Sequence, residues 1–174
     1  MPNNMQKIIV DNNSPLFNKD GLQYKEFPSD FGKIRYFALH LASAALSNIK
    51  ETNLLEQQIS ELLKNAIVHG NKFDPQKTIK VWYCFDKEAA RIIVEDQGDG
   101  FKKIKEWNEF NQKRLDCLQK RDFKQLENFI SFRTEHSREN DNGNALFAAL
   151  EYWNSGIVFN SKGNTVAAKR NFIN

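Results

Sequence analysis

Apolar positions along this chain recur with two periods, and the switches between them outline its elements. Leu22 and Tyr24 alternate with polar neighbours as far as Phe27, which predicts a first strand over 22–27. Pro28-Ser29-Asp30 then supplies a turn and a helix cap. Ile34, Phe37, Ala38, Leu41, Ala45, Leu46 and Ile49 recur at three and four residues and predict an amphipathic helix. A second helix is expected from about Leu54 to His69, with Leu55, Ile59, Leu62, Leu63, Ala66 and Ile67 as its buried stripe. Gly70 is expected to end it, because glycine accepts the left-handed conformation that closes a helix.

The period then shortens to two. Ile79, Val81, Tyr83 and Phe85 alternate, Arg91 to Glu95 is a short β-branched run, and Asp86–Ala90 joins them as a hairpin. Asp96-Gln97-Gly98-Asp99-Gly100-Phe101 follows as a glycine-rich loop. Over 102–139 the helical period returns, with Ile104, Trp107, Leu115, Leu118, Leu126 and Phe129 on one side and a break expected near Arg121-Asp122. Such a stripe needs a cover, and a second subunit or a partner is the expected one. After the loop 141–144, Leu146, Phe147, Leu150 and Trp153 predict a short helix packed on the sheet. Ile157–Asn160 and Thr165–Lys169 close the chain as a second hairpin. Residues 1–20, rich in Asn and punctuated by proline, read as a loose leader before a single domain at 21–174.

Composition narrows the class of function. A chain of 174 residues with 40% hydrophobic and 27% charged side chains can bury a core without staples. Cys84 and Cys117 form no metal knuckle or disulfide framework. No run of ~18 apolar residues could span a bilayer, and no signal peptide is evident at the amino terminus, so a cytoplasmic setting is expected. The formal net charge is +3. The segment 102–139 holds ten Lys/Arg against seven Asp/Glu and so carries the whole surplus. That is too little to expect a nucleic-acid partner.

Two motifs carry candidate chemistry. Glu61, Asn65 and His69 are spaced by four and share one strip of the second helix, at the rim of its apolar stripe. A carboxylate there can activate a nucleophile, and an amide oxygen can ligate a hard cation. Taken alone, the strip also reads as a solvated helix face with a capping histidine. Asp96, at a strand end, can accept a hydrogen bond from an exocyclic amine, with Gly98 and Gly100 letting the backbone approach a flat base. Taken alone, Asp-x-Gly-x-Gly also reads as a surface turn. His40 lacks a phospho-accepting context and is expected to be structural.

The order of the motifs is more informative than either. Glu-x-x-x-Asn-Ala-x-x-His-Gly, a hairpin, Asp-x-Gly-x-Gly-Phe, a loop with a Leu-Phe helix and a late Gly-Asn-Thr hairpin together resemble the GHKL ATPase superfamily. The stretch Glu61–Asn71 looks most like the bacterial anti-sigma factor serine kinases. The resemblance covers about residues 21–170. It implies an α+β fold, a two-layer sandwich whose mixed, mostly antiparallel sheet is covered on one face by helices, here with a helical insertion at about 102–139. It implies ATP and Mg2+ as cofactors. Glu61 matches the general base, Asn65 the Mg2+ ligand, and Asp96 the adenine acceptor. Gly98 and Gly100 match the adenine-pocket glycines, and Thr165 a polar residue near the base. His69, Gly143, Asn144, Ala145 and Leu146 complete the implied nucleotide site, with phosphates on the loop before Leu146 and that helix's amides. The resemblance also implies a homodimer whose partners are a sigma factor and a serine-bearing antagonist protein.

One departure bears on chemistry. The family's phosphate loop reads Gly-x-Gly before Leu-Phe, whereas Gly143-Asn144-Ala145 stands here. A positive φ at the third position would cost Ala145 roughly 1–2 kcal/mol relative to glycine. That cost would favour the alternative, a nucleotide-binding regulatory module with weakened chemistry.

Overall fold

The computed structural model of the chain describes residues 7–45, 49–129 and 145–172. Six strands form one sheet: β1 (Ile9–Val10), β2 (Gln23–Pro28), β3 (Thr78–Phe85), β4 (Ala89–Glu95), β5 (Ile157–Phe159) and β6 (Thr165–Asn171). Their order across the sheet is β1-β5-β6-β4-β3-β2. Among the described residues only the β1–β5 pair is parallel. The expected mixed, mostly antiparallel α+β sandwich is therefore present. Pro28, which cannot donate to a ladder, ends the edge strand, a position where proline is tolerated.

Alternation divides the sheet into two faces. Ile79, Val81, Tyr83 and Phe85 of β3 join Ala90, Ile92 and Val94 of β4 and Val166 and Ala168 of β6 in the main core. Three helices cover this face: α1 (Ile34–Ala42), α2 (Ile49–Asn65) and, after two further helices, α5 (Ala145–Tyr152). Their contributions include Phe37 and Leu41, Leu55, Ile59 and Leu63, and Ala149, joined by Ile67 and Trp153 just beyond the ends of α2 and α5. The first helix is shorter than its periodicity predicts. Ser43 Oγ donates to the His40 carbonyl at 2.6 Å, and Ala44 and Ala45 bond three residues back, so the helix tightens and stops. Leu46 lies outside the described residues, and Ile49 belongs to α2.

The opposite face is also closed, and this corrects the expected leader. Ile93, Ala167 and Val158 alternate onto that face yet are almost fully buried. Residues 11–20 run across it as a strap. A tight turn at Pro15–Phe17 lies against β4 and β6, the Lys19 ammonium sits 3.6 Å from the Trp82 ring centre, and Arg91 donates to the Asn18 carbonyl at 2.9 Å. Ahead of the strap, β1 adds a strand to the sheet, and Ile8 is 2% exposed. An apolar sheet face left bare would favour association, which gives the strap its physical reason.

The insertion begins with α3 (Ile104–Lys120), breaks at Arg121 and continues as α4 (Phe123–Leu126) and a tight turn to Phe129. Arg121 takes a left-handed φ of 55°, and Asp122 caps α4 through the Gln125 N–H, so the break falls where it is expected. Residues 130–139 lie outside the described residues. The cover for the first half of the stripe is the protein's own body. Ile104 and Trp107 form a second small core with Ile8, against which Leu146 and Phe147 pack. The Trp107 and Phe147 rings lie 5.2 Å apart, and Arg114 stands 4.5 Å over Phe147. Asn108 clasps the Ile8 backbone both ways, accepting its N–H at 2.8 Å and donating to its carbonyl at 2.9 Å. Leu118 and Phe123 remain exposed.

Ile8→Ala is expected to destabilise the fold by about 2–4 kcal/mol, because it opens a cavity beside Trp107. Ile9→Ala, on an exposed neighbour, should cost under about 0.5 kcal/mol. Urea unfolding of the two variants checks this, and equal midpoints would show that the amino-terminal segment is a loose leader after all.

Candidate functional site

The α2 strip is built by its own apolar stripe. Leu55, Ile59, Leu62, Leu63 and Ala66 face the sheet, which turns Glu61 and Asn65 to the helix rim. Glu61, Asn65 and His69 all line one cavity of about 1010 Å³. Its other walls are the Phe31–Lys33 turn with Arg35 of α1, and Ala145 and Ala148 of α5. Among the described residues neither the Glu61 carboxylate nor the Asn65 amide is committed to a hydrogen bond or ion pair. Both are therefore available to something in the cavity.

The helix does not end by a left-handed glycine. After Asn65 it widens into a π turn over Ala66–Gly70, closed by the Asn71 N–H on the Ala66 carbonyl at 2.7 Å. Gly70 is absent from the positive-φ residues; Lys72 and Phe73 take that conformation instead. The need for glycine at 70 is steric. A Cβ there would stand 2.3 Å from the Asp96 Cγ. Gly98 is needed for a matching reason, since its Cβ would lie 1.9 Å from the Gly70 carbonyl oxygen. Gly100, at φ +90°, approaches the Lys162 carbonyl in the same way. Gly98 and Gly100, the glycines expected at an adenine pocket, thus pack protein backbone on protein backbone.

This packing fixes Asp96. Its backbone is bracketed by Asn164, whose carbonyl accepts the Asp96 N–H at 2.9 Å and whose Nδ2 donates to the Asp96 carbonyl at 3.1 Å. Its Oδ1 accepts the Gly98 N–H at 2.8 Å, and among the described residues Oδ2 accepts nothing. Burial pushes the carboxyl up to about 6, against the opposing pull of the Gly98 N–H and the Lys162 and Lys77 ammonium groups. Thr165 adjoins the turn through its register with Glu95, and its Oγ1 lies 3.5 Å from Glu95 Oε2.

The two groups of residues expected at one site are linked by a single joint, but Asp96, Gly98, Gly100 and Thr165 do not line the cavity that holds Glu61 and Asn65. The strip 61–69 lines the cavity, the turn 96–100 stands beside β6, and Gly70 touches both Asp96 and Gly98. Ala145 lines the cavity, whereas the Leu146 side chain packs on the second small core. Gly143 and Asn144 lie outside the described residues. Ala145 opens α5. His40 is exposed, its ring nearly perpendicular to that of Phe27 with centres 6.5 Å apart. Asn71, Gln97 and Asn164, which hold the turn, carry no sequence signal beyond being amides in loops.

Among the described residues no helix is long and apolar enough to cross a membrane. The family model described as histidine kinase-like ATPase domain matches residues 27–147, more than half of the chain. No curated protein matches it.

Because the folded-state pKa of Asp96 is raised, the folded protein holds a proton between about pH 4 and 6 that the unfolded chain releases, and stability falls as pH rises through that window. Asp96→Asn, which keeps the oxygen that accepts from Gly98, is expected to raise the ligand-free melting temperature at pH 7.5. The gain should shrink as pH falls and vanish below about pH 4. Scanning both proteins across pH by calorimetry checks it; a constant difference would show that the buried charge is not the cause.

Proposed function

The chain belongs to the histidine kinase-like ATPase domain family, and from that membership we propose that it is an ATP-dependent serine kinase of the anti-sigma type. In this reading it phosphorylates a serine-bearing antagonist protein and sequesters a sigma factor, acting as a homodimer. ATP binding follows from the family; the acceptor and the partners are our reading of this chain's motifs.

The residues present fit the nucleotide and its metal. Asp96 offers an uncommitted carboxylate oxygen for an exocyclic amine, held in a half-buried turn that water screens poorly. Asn65 offers one neutral oxygen at the cavity, which suits Mg2+, a cation that keeps waters and phosphate oxygens as its other ligands. When bound, Mg2+ would neutralise charge developing on the phosphate oxygens.

The observation that carries the kinase reading is that Glu61 lines the same cavity as Asn65, one helical turn away and uncommitted. Glu61 would accept the proton of the serine hydroxyl. The serine oxygen then bonds to the γ-phosphorus, the bond from that phosphorus to the β-γ bridging oxygen breaks, and ADP leaves with that oxygen. Little covalent work falls to the protein, so positioning dominates. The alternative is a binding module without chemistry, which the Gly143-Asn144-Ala145 departure from the family's phosphate loop would favour.

Mg-ADP is expected to raise the melting temperature, a ligand at 100 times its dissociation constant adding about 2.7 kcal/mol. Glu61→Gln should keep that shift and lose phosphate transfer to a serine-bearing antagonist, and Asn65→Ala should lose the Mg2+-dependent part of the shift. Labelled-phosphate transfer and calorimetry separate the cases. Nucleotide binding without transfer or hydrolysis by the wild type would favour the binding module.

A further inference from the structure

We propose that Asn71 is a positioning residue that sets the base selectivity of the Asp96 turn, a role that rests on the nucleotide reading above. Asn71 is fully buried directly after the π turn. Its Nδ2 donates to Ser29 Oγ at 2.7 Å and to the Thr78 carbonyl at 3.0 Å, while its Oδ1 accepts the Gln97 N–H at 2.7 Å. One amide thus ties three segments: the residue following β2, the first residue of β3 and the turn after β4. Gln97 returns the link, its Oε1 accepting the Thr78 N–H at 2.8 Å. The Thr78 residue is therefore gripped at both its N–H and its carbonyl by the same pair of side chains.

The chemistry of the pair explains the residue type. Two donors and one acceptor on a short, neutral side chain are what the three partners demand, and asparagine supplies them. Aspartate at 71 would set an anionic oxygen against the Thr78 carbonyl, and an apolar residue would leave buried polar groups unmatched. Asp96 precedes Gln97 directly, so its carboxylate takes its position from this anchor on one flank and from Asn164 on the other. Position decides selectivity here. Adenine presents an exocyclic amine where guanine presents a carbonyl oxygen, so a carboxylate at the right height accepts from one and repels the other. A carboxylate released from its anchor loses that distinction.

The test compares dissociation constants of Mg-ADP and Mg-GDP for the full chain by calorimetry, with melting temperatures alongside. The wild type is expected to prefer ADP, and Asn71→Ala to reduce the ADP-over-GDP ratio by about tenfold or more, the worth of a hydrogen bond to a charged group. Gln97→Ala, at an exposed side chain, should lower the ratio in the same direction, and Gln97→Glu, which keeps the accepting oxygen, should restore it. Ribose and phosphates are common to both ligands. A merely structural role would therefore lower stability and both affinities together and leave the ratio unmoved. If Asn71→Ala does not fold, the Gln97 pair decides. An unchanged ratio in the folded variants, or equal binding of both nucleotides by the wild type, overturns the proposal; a wild type that binds neither overturns the nucleotide reading beneath it.

Discussion

Three stretches of backbone meet with no side chain between them, and most of this molecule is arranged around that contact. The end of α2 at Gly70 abuts the turn at Gly98, and the turn at Gly100 abuts the β5–β6 hairpin at Lys162 and Gly163. A Cβ at 98 or 100 would sit within 2 Å of a carbonyl oxygen, a distance that no rotamer change relieves. The approach is tight enough to place Asp96 by sterics and to let short amide hydrogen bonds lock it from both flanks. A carboxylate held this way is desolvated, and its raised pKa is a consequence of the same contact. The fold accepts that unfavourable term at one point in exchange for an acceptor of fixed direction.

Elsewhere the structure serves to keep the joint rigid. The main core fastens α2 to β3, β4 and β6, so the strip bearing Glu61 and Asn65 and the strand leading into Asp96 share one packed layer. The strap over the second face buries Ile93 and Ala167 on the two strands flanking the turn. The insertion adds a third support. Trp107 and Phe147 couple α3 to α5, and Asn108 couples α3 to the chain ahead of β1. Helix α5 in turn supplies Ala145 and Ala148 to the cavity wall. The described part of the insertion therefore buttresses the cavity wall, while Leu118 and Phe123 on it stand exposed.

Period and order made much of this legible from sequence. The alternation in β3 and β4 and the stripe of α2 are dictated by burial, and burial on one face leaves a periodic mark. Glu61, Asn65 and Asp96 stand out in the sequence because a helix strip and a strand end are places where such groups have consequences; the structure puts the first two on one cavity and Asp96 in the turn after β4. What sequence could not carry are contacts whose partners are remote. Ile8 meets Asn108 a hundred residues away, and Asn71 meets Gln97 across a whole hairpin. The strap failed for a related reason: its anchors, Lys19 on Trp82 and Asn18 on Arg91, are single contacts without a period. A left-handed cap and a close approach demand the same residue, so the sequence alone does not distinguish the two at Gly70, where the close approach is the reason.

The central claim is that the end of α2, the Asp96 turn and the β5–β6 hairpin form one unit that receives the nucleotide. Amide hydrogen exchange of the wild-type chain with and without Mg-ADP tests it most directly. The claim predicts that protection rises together at 66–71, 96–101 and 161–165, with the amides of β2 little changed. Protection confined to one of the three segments, or rising only in the strap and α3, would contradict it.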